Sequence, residues 1–165
     1  MKEINIDLLY KNKYRFQMTL RSRVTVLVGA SASGKTTLVR LATEHRLKTK
    51  DATVSVFNYD SIAPFESQLA GIENARALIL DEDSVIGLLS NNKLFDLLKT
   101  DKVLLLVTRS VPREIQCAYT DIFELQTNGD GVTAVPRYRD FSELPDADLY
   151  SCEIALLDTG TLVTF

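Results

Sequence analysis

Cysteine and histidine are scarce in this 165-residue sequence: Cys117, Cys152 and the single His45 are all it holds. The two thiols form no C-x-x-C pair and have no histidine near them in sequence. That spacing argues against a metal site and favours two buried thiols in a reducing compartment. No apolar run approaches the roughly 20 residues needed to cross a bilayer. The first residues, Met1 to Asp7, alternate apolar and polar instead of forming a signal-peptide core. A cytoplasmic protein with no membrane association is expected. An excess of basic residues is also missing, the net charge being −3, so nucleic acid is not indicated as a partner. No repeat, low-complexity tract or linker interrupts the chain, and its length suits a single domain over 1–165.

Apolar residues at 45% and charged residues at 25% are ordinary for a globular chain. Charge is distributed unevenly. Residues 1–23 carry Lys2, Lys11, Lys13, Arg15, Arg21 and Arg23 against Glu3 and Asp7, a net of +4. Residues 138–165 carry Arg139 against Asp140, Glu143, Asp146, Asp148, Glu153 and Asp158, a net of −5. Two solvated surfaces of opposite sign account for this, and a protein-partner or self-association surface is the sharper alternative.

Alternation over 3–9 and 13–20 predicts a β-hairpin. The continuous apolar run Val24–Val28 predicts a central strand covered on both faces. Leu38, Leu41 and Ala42 then recur at helical spacing, so a helix is expected from Lys35 to about Arg46. His45 falls near its C-terminal end, where positive charge is favourable. Further strands are expected at 53–57, 77–80, 103–107 and 121–125. Residues 62–75 read as loop and short helix around Pro64, and 84–99 as a helical region with Leu94, Leu97 and Leu98 as its apolar stripe. Asn128-Gly129-Asp130-Gly131 is a hairpin turn leading to 132–135. A terminal hairpin from 151–157 and 162–165 is plausible from the turn at Asp158-Thr159-Gly160. Strands alternating with helices predict an α/β fold with a mostly parallel central sheet, an N-terminal β-hairpin and C-terminal antiparallel strands.

The stretch Gly29-Ala30-Ser31-Ala32-Ser33-Gly34-Lys35-Thr36 fits G-x-x-x-x-G-K-[ST] at every fixed position, between a predicted strand and a predicted helix. Glycines there let successive backbone N–H groups turn inward on phosphate oxygens. The helix adds its positive end and unpaired amides. Residues 29–37, from Gly29 to Thr37, are therefore expected to bind the phosphates of a nucleotide. Lys35 would reach the β/γ-phosphates, and the Thr36 hydroxyl would ligate Mg²⁺.

In open α/β sheets, ligands bind beyond the C-terminal ends of the strands. The 77–80 strand ends in Asp81-Glu82-Asp83. Asp81 is placed to hold the Mg²⁺ with Thr36, and Glu82 to orient or deprotonate an attacking water. The alternative for Asp81 is a cap on the helix that follows, and for Glu82 an exposed acid; Asp83 reads as a helix cap. The 103–107 strand ends in Thr108-Arg109, where a sensor of the γ-phosphate is expected, with Arg109 stabilising developing charge; a surface salt bridge or a partner-facing charge is the alternative for Arg109. If these strands are neighbours, all three sets meet at one nucleotide.

GASASGKTTLVRL (29–41), ALILDED (77–83) and VLLLVTR (103–109), in that order, resemble the additional-strand P-loop ATPases, the group containing ABC-type and AAA-type domains. The resemblance covers about 14–125 and implies a three-layer P-loop NTPase fold with ATP and Mg²⁺ as cofactors. Within the group, the chain is most similar to small single-domain bacterial ATPases, often phage- or mobile-element-associated. It lacks an LSGGQ-type signature, a His after the fourth strand of the core, and room for an α-helical lid after 125.

An ATPase is one expectation. A small-molecule kinase is a second, with Asp60 at an acceptor site and Arg109, Arg113 or Arg137 as lid cations; Asp60 also reads simply as a turn or N-cap residue. A third is a slow nucleotide-dependent switch read by a partner through loops near 58–75 and 108–118. No N-K-x-D is present, which argues against GTP.

Overall fold

The computed structural model describes residues 3–10, 14–30, 32–50, 52–128 and 131–138. They build a mixed α/β structure around one eight-stranded sheet in the order β1-β2-β8-β7-β3-β6-β5-β4. The strands are β1 (Ile4–Tyr10), β2 (Tyr14–Leu20), β3 (Val24–Val28), β4 (Val54–Val56), β5 (Ala77–Leu80), β6 (Val103–Thr108), β7 (Ile122–Asn128) and β8 (Gly131–Pro136). The helices are α1 (Lys35–Thr49), α2 (Phe65–Ala70), α3 (Glu82–Ser90) and α4 (Leu94–Leu98).

The five strands β7, β3, β6, β5 and β4 run parallel to one another. Every residue of β5 and β6 is buried, as continuous apolar strands covered on both faces require. Successive side chains point to opposite faces. Val26, Leu78, Leu80, Leu104 and Leu106 therefore meet Val85 and Leu88 of α3 and Leu94 and Leu97 of α4. Leu27, Ile79, Leu105 and Val107 meet Leu38, Leu41 and Ala42 of α1 on the other face.

The N-terminal hairpin closes the second core. Ile4, Ile6 and Leu8 on β1 and Phe16, Met18 and Leu20 on β2 are buried with the α1 side chains. Its opposite face is polar. Arg15 donates to both carboxylate oxygens of Asp7, at 2.9 and 2.6 Å, and Thr19 donates to Asn5 across the ladder at 2.8 Å. Such cross-strand pairs hold register.

The sheet departs from a simple parallel core with antiparallel additions. β7 and β8 are antiparallel, and so are β1 and β2, but β8 pairs with β2 in parallel. The two hairpins are thus fused side by side at one edge instead of being separate additions. The helical region over 84–99 is also two helices. Asn91 caps α3, Asn92 adopts a left-handed φ of 54°, and the chain restarts at Leu94. Asparagine tolerates that backbone conformation, so the Leu stripe continues while the axis does not. α1 runs on past Arg46 to Thr49. The expected terminal hairpin and Cys152 lie outside the described residues, whereas Cys117 is buried.

Candidate functional site

β3 and β6 are neighbours, and β6 pairs on its other side with β5. Val28 is level with Thr108, and Leu106 with Leu80. The Gly29–Gly34 loop, Asp81 and Thr108 therefore leave the sheet at nearly the same height. Gly29 N donates to Thr108 O at 3.2 Å, tying the loop to the end of β6.

The loop curls tightly. Ala32 and Gly34 take positive φ values of 68° and 97°, and Ser33 N donates back to Ala30 O at 3.2 Å. A Cβ on Gly29 would run into Ser33 Oγ, so a side chain at 29 would have to displace the Ser33 side chain. Ser33 Oγ is itself buried without a hydrogen-bond partner. Ser31 lies outside the described residues. α1 begins at Lys35 with Gly34 as its N-cap, no side chain capping its first amides and no acidic residue in its first turn. An anion is what such a helix end lacks.

Lys35 turns its ammonium onto the loop, donating to Gly29 O and, at 2.9 Å, to Ala30 O. Burial pulls its pKa below the usual lysine range; the Glu82 carboxylate opposes this and the Arg109 guanidinium adds to it. These three charges share one electrostatic neighbourhood. Arg109 Nε stands 3.1 Å from Glu82 Oε2, with the Glu82 side chain 31% exposed and that of Arg109 67% exposed.

Two adjoining hollows open beside these groups. One of about 250 Å³ is lined by Lys35, Thr36, Asp81, Glu82 and Arg109 among others. The other, of about 400 Å³, is lined by Ala30, Ala32, Gly34 and Thr37 and shares Lys35, Thr36, Glu82 and Arg109. Together they fall in the size range of small-molecule sites. The structure thus brings together the described loop residues, Lys35, Thr36, Thr37, Asp81, Glu82 and Arg109.

Asp81 also caps α3: its Oδ1 accepts from Ser84 N at 2.9 Å. Asp83, read from sequence as the cap, instead sits exposed in the first turn, because the helix starts two residues earlier than expected, at Glu82. Thr108 is buried, and its hydroxyl donates to Ser110 O at 2.8 Å. Among the described residues no group of three or more His, Cys, Asp or Glu side chains gathers to hold a metal. That pattern is not what Mg²⁺ needs, since it is usually held by one or two carboxylates with water and phosphate oxygens.

Other residues singled out in the sequence stand elsewhere. Asp60 Oδ1 accepts from Ile62 N at 2.9 Å, and Gln68 clamps the same loop through Asp60 N, Asp60 O and Ala63 O. Asp60 is thus a turn residue and does not line either hollow. Arg137 lies at the opposite end of β7, its N–H donating to Ile122 O at 2.9 Å and its guanidinium 5.3 Å from the Tyr138 ring centre. Arg113 is exposed and lines neither hollow. His45 sits on α1 ten residues beyond Lys35, about 15 Å along the axis at the helical rise.

The ties behind the site were not evident from the sequence. Tyr59 N donates to Ser84 Oγ at 3.2 Å, and the Tyr59 ring packs on Gly87 of α3. The cap that Asp81 makes is the alternative its place before a helix had offered; nothing local points to Tyr59.

No protein-family model matches the chain, and no curated protein matches it. No helix among the described residues is long and apolar enough to cross a membrane.

Proposed function

We propose that this protein binds Mg·ATP and hydrolyses it. The observation that carries the reading is the convergence of three strand ends on one cleft: the Gly29–Gly34 loop after β3, Asp81-Glu82 after β5 and Arg109 after β6. The strand order, with β6 between β3 and β5, supports a P-loop NTPase of the additional-strand group.

The uncapped start of α1, the loop too tight for a Cβ at Gly29 and the orphaned Ser33 hydroxyl fit a bound polyphosphate. Lys35 would exchange the two loop carbonyls for β/γ-phosphate oxygens. Thr36 and Asp81 would hold the Mg²⁺, which when bound neutralises charge on the phosphates. Glu82 orients a water and accepts its proton as the oxygen attacks the γ-phosphorus and the bond to the ADP oxygen breaks. Arg109 stabilises the charge on the transferring group.

The test is Mg²⁺-dependent ATP binding by calorimetry together with phosphate release. Glu82→Gln is expected to keep ATP binding while turnover falls by roughly 10²-fold or more, the usual loss of a general base. Unchanged hydrolysis in Glu82→Gln would remove Glu82 from the chemistry, and absence of ATP binding by the parent would end the reading.

A further inference from the structure

Glu82 and Arg109 face each other across the cleft, and their contact bears on how hydrolysis is controlled. Lys35, which also bears on Glu82 electrostatically, is engaged by Gly29 O and Ala30 O. The Glu82 charge is answered instead by Arg109, at 3.1 Å. Oε2, the oxygen paired with the guanidinium, cannot at the same time orient a water. Both side chains line both hollows, so a ligand filling the cleft contacts the pair.

We infer that the Arg109–Glu82 pair is a latch that a nucleoside triphosphate opens. Arg109 leaves Glu82 for the terminal phosphate, and Glu82 is released to take the water. The inference rests on the ATPase reading above and adds to it a means of telling a triphosphate from a diphosphate. Three features carry it. The first is the geometry: one end of the pair follows β6 and the other follows β5, so the contact bridges two strand ends of the same cleft. The second is weakness. Arg109 is 67% exposed, and an ion pair reached by water holds its partners only loosely. The third is chemistry: a guanidinium matches phosphate oxygens with its planar fork at least as well as it matches a carboxylate.

A ligand shifts such an equilibrium only by its differential affinity for the two states. Opening the latch beforehand must therefore tighten the ligand that opens it, and leave unchanged one that does not. Arg109 acts here as a positioning residue for Glu82 as well as a contact to phosphate.

The experiment is a double-mutant cycle over Glu82→Gln and Arg109→Ala, with Mg·ATP and Mg·ADP affinities measured by calorimetry in all four proteins. Arg109 is on the lip of the cleft and its truncation leaves the core intact; thermal melts confirm folding. Glu82→Gln is expected to tighten ATP by about two- to fivefold, the range an exposed ion pair spans, with ADP unchanged. In the Arg109→Ala background that gain should vanish. If the gain persists without Arg109, Glu82 repels phosphate directly and there is no latch. An equal gain for ADP likewise overturns it, since the terminal phosphate would then play no part. A parent that binds ADP and ATP but shows no gain in Glu82→Gln refutes the latch alone, whereas a parent that binds neither refutes the ATPase reading and the latch together.

Discussion

Asp81 Oδ1 accepts a hydrogen bond from Ser84 N at 2.9 Å, so the carboxylate that ends β5 also starts α3. One side chain thereby serves the fold and faces the cleft, and the two roles are separable. Asn caps helices about as well as Asp, whereas Ala loses about 1 kcal/mol. Asp81→Asn should melt like the parent yet lose Mg²⁺-dependent ATP affinity roughly 10-fold or more. Asp81→Ala should lose both. Equal Mg²⁺-dependent affinity in Asp81→Asn and parent would confine Asp81 to capping.

Lys35 gives the complementary case. Lys35 is half-buried and its pKa is depressed by that burial, so the charge is a cost to the fold. Lys35→Ala should keep or slightly raise thermal stability while ATP affinity falls about 10- to 100-fold, the worth of one charge-assisted hydrogen bond. A variant that unfolds in parallel with losing ATP would mean that Lys35 holds the loop rather than the ligand.

Gly87 sets two effects against each other. Alanine is the better helix former by about 1 kcal/mol, but a Cβ there would stand 2.8 Å from Tyr59 Cδ1. Overpacking of that kind costs about 1–3 kcal/mol, so Gly87→Ala should lose up to about 2 kcal/mol in urea melts. In a Tyr59→Ala background the clash is gone and the same change should stabilise. An equal loss in both backgrounds would show that the Tyr59 ring does not set the packing of α3.

Asp121, in the short 3₁₀ turn Tyr119–Asp121 before β7, has its pKa shifted in the opposite direction to those of Asp7 and Asp96. Burial raises its pKa above 3.8, partly offset by a hydrogen bond with Ser22. The folded state therefore holds the proton more tightly than the unfolded one above that value. Stability falls as pH rises through the window, and the full cost of the buried charge is present once pH exceeds the folded pKa. Asp121→Asn keeps an acceptor for Ser22 without that cost. Urea midpoints should favour the variant at about pH 7, and the advantage should shrink toward about pH 3, where both states are protonated. A pH-independent difference would assign the effect to packing.

The parts of the fold read most accurately from sequence are those bounded by local chemistry. β3 and β5 fall at the predicted residues because each is a continuous apolar run stopped by Gly29 or Asp81. The break between α3 and α4 was not legible, since the Leu stripe runs through it and only the backbone turn at Asn92 divides the helices. The alternating pattern of β1 and β2 revealed a hairpin with one buried face. It could not reveal that β2 would pair with β8, because pairing between distant segments leaves no periodicity in either strand.

The sequence by itself determined the spacing of the Gly29–Thr36 loop, the turns at the strand ends and the charges carried there, all matters of neighbouring residues and backbone preference. Only the tertiary structure decided that β6 lies between β3 and β5, that Lys35 rests on Gly29 and Ala30, and that Arg109 meets Glu82. All but the Lys35 contact, which spans five to six residues, join segments far apart in the chain. They are selected by which apolar faces bury one another, and the charges at the strand ends meet as a consequence.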